Sequence, residues 1–139
     1  MLQAQGSLKY ETDGPGLTEF TSDVARWLDG QGITTGVLTV YIRHTSASLI
    51  IQENADSDVM RDIETFFNNL VPRDLSLYRH KTEGDDDMPA HIKGALTETS
   101  LNIPVTEGRM GLGTWQGIFL FEHRARPHRR TITLHLIGE

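Results

Sequence analysis

The sequence contains no cysteine, which excludes disulfides, thiolate metal ligands and cysteine nucleophiles together. It also lacks any apolar run approaching the ~20 residues of a membrane span, and no signal-peptide pattern is read at its start. The expectation is a soluble, cytoplasmic protein with no membrane partner. Basic residues are the minority: 13 Lys and Arg against 19 Asp and Glu give a formal charge of −6. That balance argues against sequence-independent binding of nucleic acid, while leaving room for a local basic pocket. Repeats, low-complexity tracts and linkers are absent as well. The 139 residues are therefore expected to form one domain, 1–139, large enough to bury about two-thirds of its unfolded surface.

What is present reads as interleaved strands and helices. Residues 2–12 alternate loosely, with Leu8, Lys9 and Tyr10 in an opening strand, and Asp13-Gly14-Pro15-Gly16 is a turn. Thr18 caps an expected helix to about Asp29, its stripe formed by Phe20, Val24, Trp27 and Leu28. Val37 to Ile42 alternates as a half-buried strand. Continued unbroken, one face of it reads Leu38, Val40, Ile42, His44, Ser46, Ser48: an apolar stripe turning into an imidazole and two hydroxyls at a cleft. A reversal or second strand follows over 48–52. Residues 56–70 form the clearest helix, on Val59, Ile63, Phe66, Phe67 and Leu70, with Asn54 or Ser57 as cap. A third helix over about 88–98 takes Asp87 as cap and Pro89 in its first turn, and turns Ile92, Ala95 and Leu96 inward. Strands are expected at 101–105, 113–123 and 130–137, with Arg124 to His128 joining the last two as a hairpin. Trp27 and Trp115 read as core. The sum is an α+β domain with mixed or antiparallel sheets and about three helices.

Six histidines in a chain of this size invite a metal reading. His44 ends a strand, His80 precedes the acidic run Glu83-Gly84-Asp85-Asp86-Asp87, and His91 lies in the first turn of the third helix. Neutral imidazoles suit zinc and similar ions, and three protein ligands with an open position is the catalytic pattern. Spacing alone leaves the other reading open, that each is a solvated or hydrogen-bonded histidine. Asp85, Asp86 and Asp87 can orient an imidazole or act as base. Arg124, Arg126, Arg129 and Arg130 supply forks that match phosphate oxygens, which suggests a pocket for a phosphorylated small molecule; a solvated loop of ion pairs is the alternative. Thr45, Ser46 and Ser48 are candidate hydroxyl donors to phosphate. Glu122 ends an apolar stripe and is either a general acid or base or an ordinary strand terminus.

Taken together, His44-Thr45-Ser46-Ala47-Ser48, the run Glu83 to Lys93, Gly113-Thr114-Trp115-Gln116-Gly117-Ile118, Glu122-His123-Arg124 and Arg129-Arg130 closely resemble the YjbQ-type family, called secondary thiamine-phosphate synthases. The similarity runs in order over nearly the whole chain. It implies a compact α+β domain assembled as a homotrimer, with a histidine-lined site near a subunit boundary. It also implies a divalent metal on His44, His80 and His91, zinc being the expected ion and magnesium the alternative for a diphosphate substrate, with His123 outside the set. The implied reaction joins hydroxymethylpyrimidine diphosphate to thiazole phosphate and releases diphosphate. Thr45, Ser46, Ser48, Arg129 and Arg130 would then hold phosphate, and Asp87 and Glu122 would orient groups or handle protons. A metal-dependent phosphate-ester hydrolase and a non-catalytic oligomeric metabolite-binding module are the alternatives.

Overall fold

A computed structural model describes residues 1–139. Eight strands and three α-helices follow in the order β1 (Leu2–Thr12), β2 (Gly16–Glu19), α1 (Thr21–Asp29), β3 (Gly36–Ile42), β4 (Ala47–Glu53), α2 (Ser57–Leu70), α3 (Asp87–Leu96), β5 (Ser100–Thr106), β6 (Arg109–Met110), β7 (Gln116–Glu122) and β8 (His128–Gly138). A short 3-10 turn, Leu75–Leu77, lies between α2 and α3. The strands form two antiparallel sheets, one in the order β1-β8-β3-β5-β6 and the other β2-β7-β4. The α+β class and the helix count agree with expectation.

The core lies between the sheets. Alternation puts Leu38, Val40 and Ile42 of β3, Leu101, Ile103 and Val105 of β5, and Ile132, Leu134 and Leu136 of β8 on one inner face. Ile118 and Leu120 of β7 and Leu49 of β4 oppose them, and Val24 and Leu28 of α1 join with Phe20, the residue just before that helix. Each such side chain contributes about 1.5–3 kcal/mol relative to leaving it in water. The β8 stripe begins one step earlier, at Arg130, so a guanidinium enters the polar end of the same core.

Several local expectations give way to tertiary context. Thr18 belongs to β2 and pairs with Leu120, so α1 starts three residues later. The stripe through His44, Ser46 and Ser48 is not one strand. After Ile42 the chain leaves the larger sheet, Arg43 N making a last bond to Thr131 O, and β4 opens in the other sheet. The expected hairpin at 124–128 is also absent, because β7 and β8 lie in different sheets. Its backbone donors go to carboxylates instead: Arg124 N to Glu122 and Ala125 N to Asp86. α2 is capped by Asp56, whose side chain accepts from Asp58 N. In α3 the inner face is Asp87, Ala90 and Lys93, while Ala95 and Leu96 are exposed. Trp115 is 61 % exposed and not core.

Candidate metal centre

α3 carries Asp87 and His91 one turn apart, so both project from the same face. His80 arrives from the loop before the helix. Its Nε2 lies 2.6 Å from Asp87 Oδ2, and His91 Nε2 lies 3.4 Å from the same oxygen. One ligand atom from each of the three falls within 4.8 Å of the others. Ligand atoms around a tetrahedral zinc stand about 3.3 Å apart, given metal–ligand bonds of about 2.0–2.1 Å, so the set fits after shifts of under about 1 Å.

The surroundings prepare these groups for that role. His91 Nδ1 faces Thr45 O at 3.1 Å and must carry the proton to bond it, which leaves the Nε2 lone pair free. That carbonyl can approach because residue 94 is glycine: a Cβ there would sit 3.1 Å from Thr45 O. Asp87 is 1 % exposed. Burial alone would push its carboxyl up, but the hydrogen bond from His80 and the charge of Arg124 outweigh that and hold it below the usual range. Arg124 binds Asp87 Oδ1 through Nη1 at 2.8 Å, Asp86 Oδ2 through Nε at 2.9 Å and Glu83 O through Nη2 at 3.0 Å. One guanidinium thus orients the carboxylate whose other oxygen meets the histidines. Arg124 is the site residue whose partner the sequence did not disclose.

The remaining candidates lie outside that cluster. His44 is not in the His80–Asp87–His91 cluster; its Nε2 accepts from Thr131 N at 2.8 Å. That bond occupies the one lone pair a neutral imidazole has and places its proton on Nδ1. Burial, then the Arg130 charge, hold the ring below the ordinary histidine range, consistent with the neutral form. Ser46 Oγ accepts from Arg130 Nη2 at 3.0 Å. Ser48 is buried between His123 Nε2, at 2.8 Å, and the Thr97 hydroxyl. Neighbouring strand residues point to opposite faces, so Arg129 and Arg130 do not form a pair. Arg129 is exposed beside Glu11, while Arg130 turns inward to Glu122. Glu122 lies away from the histidines and accepts from Thr12 Oγ1 at 2.6 Å, Arg130 Nε at 2.8 Å and Arg130 Nη2. Burial pushes its carboxyl up, but these bonds and that from Arg124 N prevail and keep it low.

Beside the cluster opens a cavity of about 760 Å³, lined among others by His44, Thr45, Ser46, His91, Gly94 and Arg130. Arg130 Nη1 makes no bond to protein, the fork being engaged through Nε and Nη2. His91 therefore borders both the cation cluster and a cavity with guanidinium, imidazole and hydroxyl donors in its wall. That combination suits an anionic group brought next to a metal.

The family model described as "UPF0047 protein YjbQ-like" matches residues 7–139. A UPF0047 protein of Synechocystis sp. is 56 % identical over 137 residues, covering 99 % of this chain and 93 % of that one. The UPF0047 protein YjbQ of Escherichia coli O157:H7 is 43 % identical over 136 residues, covering 97 % and 98 %. Among solved structures, a hypothetical protein from Aeropyrum pernix K1 superposes with TM-score 0.89 at 31 % identity, over 98 % of this chain and 99 % of that one. A YbjQ-like protein of unknown function from Sulfolobus solfataricus P2 reaches TM-score 0.86 at 24 % identity, over 99 % and 100 %, a likeness of fold. With a family match that spans all but the first six residues and relatives 56 % and 43 % identical over nearly its whole length, the chain belongs to the YjbQ-like UPF0047 family.

Proposed function

We propose that this protein is a metal-dependent transferase that holds a zinc ion on His80, Asp87 and His91 and acts on a diphosphorylated small molecule in the adjoining cavity. The observation that carries the reading is His91 itself, fixed through Nδ1 to Thr45 O with Nε2 aimed at Asp87. A bound divalent ion would supply positive charge for a developing oxyanion. Arg130 Nη1, the Nδ1–H of His44 and the Thr45 hydroxyl are the donors this chain offers to the remaining phosphate oxygens. The reaction to test first is thiamine-phosphate synthesis. The thiazole nitrogen attacks the pyrimidine methylene carbon, the carbon–oxygen bond to diphosphate breaks, and diphosphate leaves with the electron pair. No proton has to be removed, so the chemistry asks for charge compensation and not for a base. Asp87 then serves as ligand. A homotrimer in the cytoplasm remains the expected state, and the exposed Phe66 and Leu70 on α2 are apolar surface for such contacts.

The test pairs metal analysis of untagged protein with product analysis. Zinc should bind one per chain, and at a hundredfold excess over its Kd it should stabilise the fold by about 2.7 kcal/mol. His91→Ala, Asp87→Asn and His80→Ala should each lose that stabilisation and the turnover of hydroxymethylpyrimidine diphosphate with thiazole phosphate. Zinc binding with phosphate release from simple esters would point to the hydrolase. A wild-type protein that takes up no metal would end the proposal.

A further inference from the structure

α3 has a second polar side chain on its inner face. Lys93 is 7 % exposed, and its ammonium donates to Asn68 Oδ1 at 2.7 Å. Buried lysines are ordinarily matched by a carboxylate, yet none lies within ion-pair distance of this one. Lys93 lines a cavity of about 330 Å³ between α2 and α3, whereas Gly94, the next residue, faces Thr45. Pro15, Pro72 and Pro89 stiffen its wall. Two other full charges line it, and both already have an ion-pair partner: Arg73 in Asp85 at 2.6 Å and Asp86 in Arg124 at 2.9 Å. His123 closes the cavity, 4 % exposed, and burial pushes its imidazole down to about 3, so it is neutral there. Burial, then the Arg73 charge, hold the Lys93 ammonium below its ordinary range, and Glu64, which acts the other way from a distance, gives its own oxygen to Leu17 N. The Lys93 charge is thus the single uncompensated one in this cavity. Asn68, an exposed residue that lines the same cavity, gives Oδ1 to the lysine and has no protein partner for its amide N–H pair.

We propose that the cavity between α2 and α3 is a binding site for one small oxyanion group, a phosphate or a carboxylate, received by Lys93 Nζ and the Asn68 amide. The site is distinct from the His80–Asp87–His91 cluster, although Asp86 in its wall is tied through Arg124 to Asp87. An anion there does for Lys93 what a buried carboxylate does for other buried lysines: it returns the Coulomb energy and hydrogen bonds lost with water.

The experiment uses the full chain and two probes, inorganic phosphate and acetate, each against chloride at equal ionic strength. Melting temperature and the His123 ring resonances are followed together. One of the two oxyanions should raise the melting temperature saturably and shift the His123 signals, and which one does so identifies the group. Lys93→Met should weaken the response at least tenfold. Asn68→Asp, which keeps the lysine and installs a carboxylate beside it, should abolish the response while raising the melting temperature in chloride. His91→Ala should leave the response unchanged, which separates this site from the metal reading. Absence of a response in wild type to both probes, or a response in Lys93→Met or Asn68→Asp equal to that of wild type, would overturn the proposal.

Discussion

Replacing Glu122 by glutamine removes one charge from the polar end of the core and asks whether that group is structural. Its two oxygens receive five hydrogen bonds: from Thr12 Oγ1, from Arg130 Nε and Nη2, and from the backbone N–H groups of His123 and Arg124. A glutamine has one oxygen. With that oxygen in the place of Oε2, its amide N–H pair is driven against Arg130 Nε, and a buried guanidinium loses its counter-charge. Removing one partner of such a pair costs about 3–5 kcal/mol. In a domain of this size the melting temperature should fall by about 10–15 °C. Arg130→Met should cost less, because Glu122 keeps three neutral donors and the methionine fills much of the vacated space. The double variant should cost less than the sum of the singles, with a coupling of about 1–3 kcal/mol. The pH dependence has a definite sign. Glu122 titrates below its ordinary value, so its contribution is present above about pH 4.3 and is lost as pH falls through the lower folded value. The gap between wild type and Glu122→Gln, measured by urea unfolding followed by circular dichroism, should therefore close below about pH 4. A loss under 1 kcal/mol at pH 7, or a gap that persists in acid, would refute this reasoning. Intact stability with abolished turnover would return Glu122 to the chemistry.

Two further outcomes follow from the same geometry. Gly138 faces Gly36 across the β3–β8 pairing, and a Cβ on it would collide with the Thr35 carbonyl oxygen, whereas a Cβ on Gly6 would meet only the partly exposed Trp27 ring. Gly138→Ala should thus cost about 1–3 kcal/mol and lower the melting temperature more than Gly6→Ala, and equal losses would contradict it. Arg124→Met should weaken zinc about 10–100-fold by releasing Asp87 Oδ1, read by competition with a chelator; unchanged affinity would show that the carboxylate needs no positioning.

Which parts of this arrangement were readable in advance follows from the range of the interactions that make them. Periodicity is local, so β1, β3, β5, α1 and α2 were legible to within a few residues. Sheet membership is not local. The alternation of β7 and β8 predicts strands equally well whether they pair with each other or separately, and what separates them is a pair of carboxylates, Glu122 and Asp86, that absorb the loop's backbone donors. The same limit governs α3. Its apolar residues suggested Ile92, Ala95 and Leu96 as the inner face, because a lysine and an aspartate are costly to bury. The cost is offset from outside the helix, by the Arg124 charge for Asp87 and, in part, by a neutral Asn68 hydrogen bond for Lys93, residues 37 and 25 positions away. His44, His80 and His91 were singled out by residue type, but ligand geometry depends on which ring nitrogen is already engaged. His91 Nδ1 goes to a carbonyl and frees Nε2; His44 Nε2 goes to a backbone N–H and has no second lone pair to give. A sequence shows that an imidazole is present. Only its neighbours decide whether it can be a ligand, and here they favour Asp87 in the third place.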